Sequence, residues 1–206
     1  MTEALFTSSA PVFEVEGETK GELARDLLRL EIGETTAGLK TLCARFLAHG
    51  PRADWPQETQ LYLDGALLDF GKQVNVSIGP GGEARNLFRG FISGLEAVFQ
   101  ESHEPEVVLF AEDKLMKLRM THRMKTYENM TDAEIAESIA SEHGLAAQVD
   151  ADGPTYDVVQ QWNMSDLAFL RERAGLIQAE VWFESDALHF KTRDKRTATE
   201  LTLVQG

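Results

Sequence analysis

Two nearly identical tetrapeptides constrain the fold of this chain more than any other sequence feature. "NMTD" at Asn129–Asp132 recurs as "NMSD" at Asn163–Asp166. A strand-like stretch precedes each copy, and apolar residues at helical spacing follow it. A hydroxyl residue in this position is a typical helix N-cap. The pair therefore predicts two strand-to-helix transitions in the second half of the chain.

The first tetrapeptide predicts a helix near residues 131–143. Thr131 is placed as the N-cap, and Glu134 stands at the position that completes a capping box. Met130 and Ile135 have the spacing of a hydrophobic staple. Gly144 then supplies the residue that ends a helix in the left-handed conformation.

The second tetrapeptide predicts a helix near residues 165–176. Ser165 is its N-cap, and the Asp166 carboxylate complements the positive end of the helix. Gly175 is expected to end or weaken this helix. The stretch "AEVWFESDALHFKTR" follows and predicts a C-terminal hairpin that turns at Ser185-Asp186.

Two other interpretations of the tetrapeptides fail. Their separation matches that of helical-hairpin repeats, but such a repeat needs two helices in each unit. Here a turn and the strand "TYDVVQQW" follow the first helix. Both copies also fit the glycosylation sequon, but the N-terminal stretch lacks the basic and apolar regions of a secretory signal, so that match is incidental.

The first half of the chain is predicted to be mostly strands. The predicted strands are Leu27–Ile32, Lys40–Ala48, Lys72–Ile78, Leu87–Phe99 and Glu106–Asp113. The stretch "HGPRADWPQ" (His49–Gln57) is predicted to be a loop because of its glycine and two prolines. Gly90 and Gly94 interrupt the longest strand and indicate bends in a sheet that curls towards a barrel.

The predicted fold class is α+β with two domains. Residues 1–112 are expected to form a curved, tail-tube-like antiparallel β-barrel, and residues 113–206 a smaller α/β domain containing both helices and the hairpin. The formal net charge of −14 argues against nucleic acid or anionic lipid as a partner. No apolar stretch is long enough for a membrane span.

Nothing in the sequence indicates catalysis. The single cysteine, Cys43, lies in an apolar context and is expected to be a buried, inert thiol. The histidines show no metal-ligand spacing; they are His49, His103, His122, His143 and His189. His143 is placed in the last turn of a helix, where a histidine usually serves as a cation or forms a hydrogen bond to the last carbonyls. No catalytic, cofactor-binding or metal site is predicted, and the protein is expected not to be an enzyme.

Two groups of residues have structural as well as ligand-binding interpretations. Asp64 and Asp69 are predicted to be turn residues around Gly65 and Gly71. The tryptophans could stack on a ligand, but in strand-rich segments they belong more often to a core or an interface; they are Trp55, Trp162 and Trp182.

The stretch "YDVVQQWNMSDLAFLRERAG" resembles the late-control D / VgrG-type baseplate hub proteins of phage contractile tails and injection systems. The shared pattern is a tyrosine-led strand, a capped helix and a hairpin. The matching residues are Tyr156, Gln161, Asn163, Ser165, Asp166, Phe169, Leu170, Ala174, Gly175, Leu188 and Phe190. The resemblance extends over roughly residues 88–193. Met164 stands where the family usually has glutamine, and Gly175 comes earlier than the family pattern suggests.

The resemblance implies a structural hub or spike adaptor without cofactor. Its expected partners are further copies of itself in a homotrimer, the tail tube protein, the central spike and other baseplate proteins. It implies assembly in the bacterial cytoplasm and a final place in the particle, with no membrane anchor. Family members continue beyond the hairpin, so the resemblance implies that this sequence is a domain, a short or split member, or a fragment that relies on another chain. The alternatives from other classes are a particle-borne cell-wall-degrading enzyme and a cell-wall-binding module.

Overall fold

The computed structural model describes residues 10–36, 39–52, 55–79 and 84–196. Contacts divide the chain into two units. Unit 1 consists of Met1–Thr35 and Leu39–Lys114, and unit 2 consists of Thr36–Gly38 and Leu115–Gly206. None of the helices within the described ranges is long and apolar enough to cross a membrane.

Unit 1 is built mainly from one antiparallel sheet. Its elements are β1 (Val12–Val15), β2 (Glu18–Thr19), α1 (Gly21–Arg25), β3 (Leu27–Gly33), β4 (Thr41–Leu47), β5 (His49–Arg52), β6 (Trp55–Gln60), β7 (Gln73–Ile78), β8 (Arg85–Val98) and β9 (Glu106–Glu112). The order of the seven-stranded sheet is β2-β1-β7-β8-β9-β4-β3. The remaining pair, β5 and β6, forms a separate antiparallel hairpin.

The core of unit 1 lies on one face of this sheet, as alternation predicts. Val74 and Val76 of β7 are fully buried, and the polar residues between them are not. Phe13 and Phe46 meet edge to face with ring centroids 5.5 Å apart. This aromatic contact joins β1 and β4, two strands that are distant in sequence, and it stabilises the core.

The described residues do not form the predicted barrel. Closing a sheet requires its two edge strands to pair with each other. The edges here are β2, which has only two residues, and β3, and each pairs with a single neighbour on its inner side. The antiparallel strands were correctly predicted, but in the described ranges their sheet stays open.

The prediction of a loop at His49–Gln57 is also wrong. Part of this stretch forms β5, which pairs antiparallel with β6 and has a register shift between Pro51 and Arg52. Proline is tolerated in a two-stranded sheet because each strand has one unpaired edge, where the missing N–H of proline breaks no hydrogen bond. The elements β1, β2 and α1 were not predicted.

The two glycines of β8 have different roles. A Cβ atom on Gly90 would lie 2.1 Å from the backbone oxygen of Glu112, so only glycine fits where β8 approaches β9. Gly94 lies at a register shift between β8 and β9, beside the ring of Phe110. The predicted bend is therefore found at Gly94, whereas Gly90 is required by close packing.

Unit 2 combines helices with two small sheets. Its elements are α2 (Met116–Arg119), β10 (His122–Met130), α3 (Asp132–Glu142), β11 (Ala146–Asp150), β12 (Tyr156–Ser165), α4 (Asp166–Leu176), β13 (Ala179–Glu184) and β14 (Ala187–Thr192). A two-stranded antiparallel ribbon is formed by β10 and β12. The second sheet has the order β11-β14-β13, in which β11 runs parallel to β14 and β13 antiparallel to it.

The capping predictions for α3 and α4 are confirmed. Thr131 and Glu134 form the complete capping box, and the Ser165 hydroxyl accepts a hydrogen bond from the Ala168 backbone N–H. Gly144 follows α3 with φ of 64°, as expected for a helix stop.

The end of α4 lies where the sequence predicted it, near residue 176. The helix continues through Gly175 to Leu176, and Gln178 has the left-handed conformation with φ of 57°. The predicted hairpin is present: β13 pairs with β14, and both Ser185 and Asp186 have positive φ, as in a type I′ turn.

Candidate functional site

The two tetrapeptides share a backbone conformation as well as a sequence. Asn129 has φ of 52° and Asn163 has φ of 50°, in the left-handed region that asparagine tolerates better than most residues. Two residues later, Thr131 and Ser165 begin their helices as caps. The chain therefore passes from strand to helix in the same way at both places.

The aspartate of the first tetrapeptide is the acceptor in a buried acid–base pair. Asp132 is 1% exposed and accepts hydrogen bonds from Arg173 Nε at 2.5 Å and from the Tyr156 hydroxyl at 3.1 Å. The Arg173 guanidinium lies 4.5 Å from the centroid of the Tyr156 ring. Burial lowers the pKa of Arg173, but the hydrogen bond and charge of Asp132 outweigh it and raise that pKa.

The aspartate of the second tetrapeptide occupies an equivalent position. Asp166 Oδ2 lies 2.6 Å from His143 Nε2 and 3.1 Å from Arg123 Nε. Its other oxygen, Oδ1, accepts a hydrogen bond from Gln161 Nε2 at 2.9 Å. The His143 ring therefore contacts this carboxylate, and not the helix carbonyls that were one of its two expected roles.

A buried amide connects this second pair to the ribbon. Gln161 accepts a hydrogen bond from the Tyr127 hydroxyl at 3.2 Å and donates to the Met164 carbonyl at 3.0 Å. The Tyr127 ring stacks on Phe169 of α4 with centroids 5.6 Å apart. Burial, with a smaller contribution from the charge of Asp166, raises the pKa of the Tyr127 hydroxyl. The ribbon and α4 are therefore joined by polar and aromatic contacts.

These two clusters are suited to holding helices together. An aspartate beside a histidine can serve acid–base catalysis when a substrate reaches it. Here the Asp166 side chain is 2% exposed, and both of its oxygens already have partners. A groove of about 700 Å³ in unit 1 and one of about 430 Å³ in unit 2 are lined by other residues. We therefore assign both clusters to helix packing.

The remaining residues considered for chemistry are dispersed. In the described ranges, no group of three or more His, Cys, Asp or Glu residues is placed to hold a metal ion. His49 contacts Glu104, and His189 stacks on Trp182 with centroids 4.7 Å apart. Cys43 is a partly buried residue of β4, and burial raises the pKa of its thiol.

One face of the β10–β12 ribbon carries exposed apolar side chains. Met124 of β10 lies directly opposite Trp162 of β12, and the two are 69% and 57% exposed. Val158 lies further along the same face and is also exposed. The opposite face carries Tyr127 and Gln161, which are buried. Exposed apolar residues grouped on one face are typical of interaction surfaces.

The fold is similar to that of several tail proteins of known structure. The 43 kDa tail protein of prophage MuSo2 from Shewanella oneidensis matches with a TM-score of 0.73 and 17% identity, over 97% of this chain and 57% of that protein. A tail protein from Neisseria meningitidis matches with a TM-score of 0.62 and 16% identity, over 89% and 51% of the respective chains.

A third similar structure comes from a secretion machine. The E. coli c3393 protein is described as a component of the type VI secretion system with structural similarity to the T4 tail proteins gp27 and gp5. It matches with a TM-score of 0.59 and 15% identity, over 87% of this chain and 48% of its own. This chain therefore has a phage-tail-like fold and spans about half the length of the structures that it matches.

One protein family also matches in sequence. The family described as the Alg8 N-terminal domain matches residues 56–206, and the chain belongs to that family. Its description names a domain and no activity, so it contributes nothing to the functional argument. No curated protein matches the sequence.

Proposed function

We propose that this protein is a structural component of a phage tail or a related contractile injection machine. The observation that carries this proposal is the match to a prophage tail protein over 97% of the chain with a TM-score of 0.73. The exposed ribbon face supports it, because a protein that works by assembly needs surfaces for its neighbours.

The specific role that we propose is a baseplate hub or spike adaptor of the late-control D / VgrG type. Its partners would be the tail tube protein, the central spike, other baseplate proteins and further copies of itself in a homotrimer. It would be assembled in the bacterial cytoplasm and then occupy the particle. The net charge of −14 supports protein neighbours in preference to nucleic acid.

We further propose that the role is not enzymatic. Asp132 and Asp166 are the buried carboxylates at the two helix starts, and both are engaged by basic and polar side chains. A general acid or base has to reach the group that exchanges the proton, and these side chains are enclosed.

The experiment begins with particles purified from the bacterium that produces this protein. Immunoblotting should find the protein in the tail fraction, and deletion of its gene should give particles without a complete baseplate. Light scattering of the full-length polypeptide should give the mass of a trimer. Absence from the particles would refute the structural role, and a strict monomer would refute the hub.

Trp162 provides a reason to test one alternative, a module that binds the cell wall. An exposed indole beside polar side chains such as Gln160 can stack on a sugar ring. Sedimentation with purified peptidoglycan distinguishes the two roles: the structural protein should remain in the supernatant, and a wall-binding module should sediment. Release of soluble fragments in the same assay would instead indicate a cell-wall-degrading enzyme.

A further inference from the structure

The segment between β6 and β7 forms a loop whose conformation is held by one lysine. We call residues 62–72 the anchor loop. The Lys72 ammonium donates hydrogen bonds to three backbone carbonyls of this loop, those of Gly65 at 2.8 Å, Ala66 at 2.6 Å and Leu67 at 3.4 Å. The Lys72 ammonium therefore points into the loop, where its hydrogen bonds to three consecutive carbonyls stabilise the loop conformation.

Further contacts attach the anchor loop to the rest of unit 1. At its start, the Tyr62 hydroxyl donates hydrogen bonds to the Asp26 carboxylate and, at 3.3 Å, to the Glu22 carbonyl. In its middle, Leu68 is 1% exposed and belongs to the core. Near its end, the Gly71 N–H donates to the Ile92 carbonyl at 2.9 Å. The loop is therefore attached at its start, middle and end.

This fixed loop presents apolar side chains to solvent. Phe70 is 65% exposed and Leu63 is 41% exposed. Asp64 and Asp69 are exposed beside them, and each accepts a hydrogen bond from a loop N–H, as turn residues do. An aromatic side chain on a rigid support loses little conformational freedom when it binds, and such residues carry much of the affinity of protein interfaces.

The charges next to Phe70 indicate which partner fits. Two carboxylates border the apolar side chains, and the lysine of the loop faces inwards. A second copy of this chain fits poorly, because its net charge is −14 and the groove of about 700 Å³ in unit 1 is bordered by Glu31 and Glu112. Opposite charge around the contact favours encounter and disfavours wrong partners.

We propose that the anchor loop inserts Phe70 into an apolar pocket with a lysine- and arginine-rich rim on a different protein. This inference goes beyond the proposed function, which names neighbours but no contact. If the proposed function is correct, the partner that receives Phe70 is another component of the tail.

Photo-crosslinking in living cells tests the contact directly. A benzophenone amino acid is placed at position 70 and, as a matched control, at position 99. Phe99 is also a phenylalanine of unit 1 and is 59% exposed, but it lies outside the anchor loop. The expected result is a crosslinked product at position 70 and none at position 99. In that product the anchor loop is joined to a different polypeptide, close to lysine or arginine residues of that polypeptide.

Binding measurements on the crosslinked partner then test the chemistry. Phe70→Ala should weaken binding about 30-fold, as expected for the central residue of an interface, whereas Phe99→Ala should change it less than about twofold. Lys72→Met should also weaken binding, because it releases the loop carbonyls. Phe70→Ala removes only an exposed side chain, so it remains informative if Lys72→Met impairs folding. Binding should weaken as salt is raised.

Each other outcome overturns the inference. The inference fails if the product at position 70 contains a second copy of this chain. It fails if position 70 gives no more product than position 99. It also fails if the two alanine substitutions weaken binding equally. The protein's presence in particles is scored separately. If it is found in tails but gives no product at position 70, only this inference fails. If it is absent from tails but gives the predicted product elsewhere, only the proposed function fails.

Discussion

Asp132, the first residue of α3, accepts a hydrogen bond from Arg173, which lies in the last turn of α4. Asp166, the first residue of α4, contacts His143 at the end of α3. Each helix therefore begins with a buried acid whose partner is a base at the end of the other helix. This exchange places α3 and α4 antiparallel to each other within unit 2.

Arg173→Met should strongly destabilise unit 2. Asp132 would be left buried with the Tyr156 hydroxyl as its remaining donor among the contacts described above, and an unpaired buried charge costs about 3–5 kcal/mol. The free energy of unfolding is measured by chemical denaturation. Arg193→Met is the matched control, because Arg193 also pairs with a carboxylate, that of Glu180 at 3.5 Å, but its side chain is 70% exposed.

The control substitution should cost less than about 1 kcal/mol, because solvent screens exposed pairs. If both substitutions cost the same, the Asp132–Arg173 pair does not hold the helices together.

The two N-caps should contribute similar amounts to stability. Thr131→Ala and Ser165→Ala each remove a side-chain acceptor from the first turn of a helix, and each should cost about 1 kcal/mol. Ser141→Ala serves as a control, because Ser141 is exposed within α3 and is not a cap. This substitution should be neutral or slightly stabilising, since alanine favours helices. A loss at Ser141 as large as at the caps would contradict this assignment.

The capping box should make stability depend on pH. The Glu134 carboxylate accepts hydrogen bonds from the Thr131 backbone N–H at 2.7 Å and the Thr131 hydroxyl at 2.9 Å, and these lower its pKa. Because the folded pKa is below the unfolded one, the stabilisation is complete above the unfolded pKa and is lost as pH falls through the folded pKa.

Glu134→Gln keeps an acceptor but removes the titration. The difference in unfolding free energy between the two proteins should be constant above the unfolded pKa of glutamate, about 4.3, and should shrink as pH falls through the lower folded pKa. In a Thr131→Ala background the pH-dependent part should shrink, because one of the two donors is gone. A difference that grows towards low pH would have the wrong sign for this mechanism.

Gly90→Ala should destabilise unit 1, because the new Cβ would lie 2.1 Å from the Glu112 carbonyl oxygen and neither backbone can move freely within the sheet. Overpacking of this kind costs about 1–3 kcal/mol, and we expect the upper end. Gly21→Ala is the control in the same unit, since its Cβ would meet nothing within 4 Å. Thermal unfolding of both variants checks the prediction, and equal shifts in Tm would contradict it.

The sequence predicted parts of the site but not their connections. The acidic residue after each hydroxyl cap was visible in the repeated tetrapeptide, and Asp166 was assigned to the helix end. Its burial and its contact with His143 could not be predicted, because they depend on how α3 and α4 pack. No sequence pattern marked Arg173 as the partner of Asp132. The exposure of Phe70 was likewise missed, although Asp64 and Asp69 were correctly interpreted as turn residues.

What the sequence determined by itself was the local structure. The Thr131 and Ser165 caps, the hairpin turn at Ser185-Asp186 and the alternation of β7 involve residues close together in the chain, so their patterns can be read directly. Tertiary structure decided which strands are the sheet edges and which base meets each aspartate. Those choices depend on contacts between residues far apart in sequence, and only the folded chain brings them together.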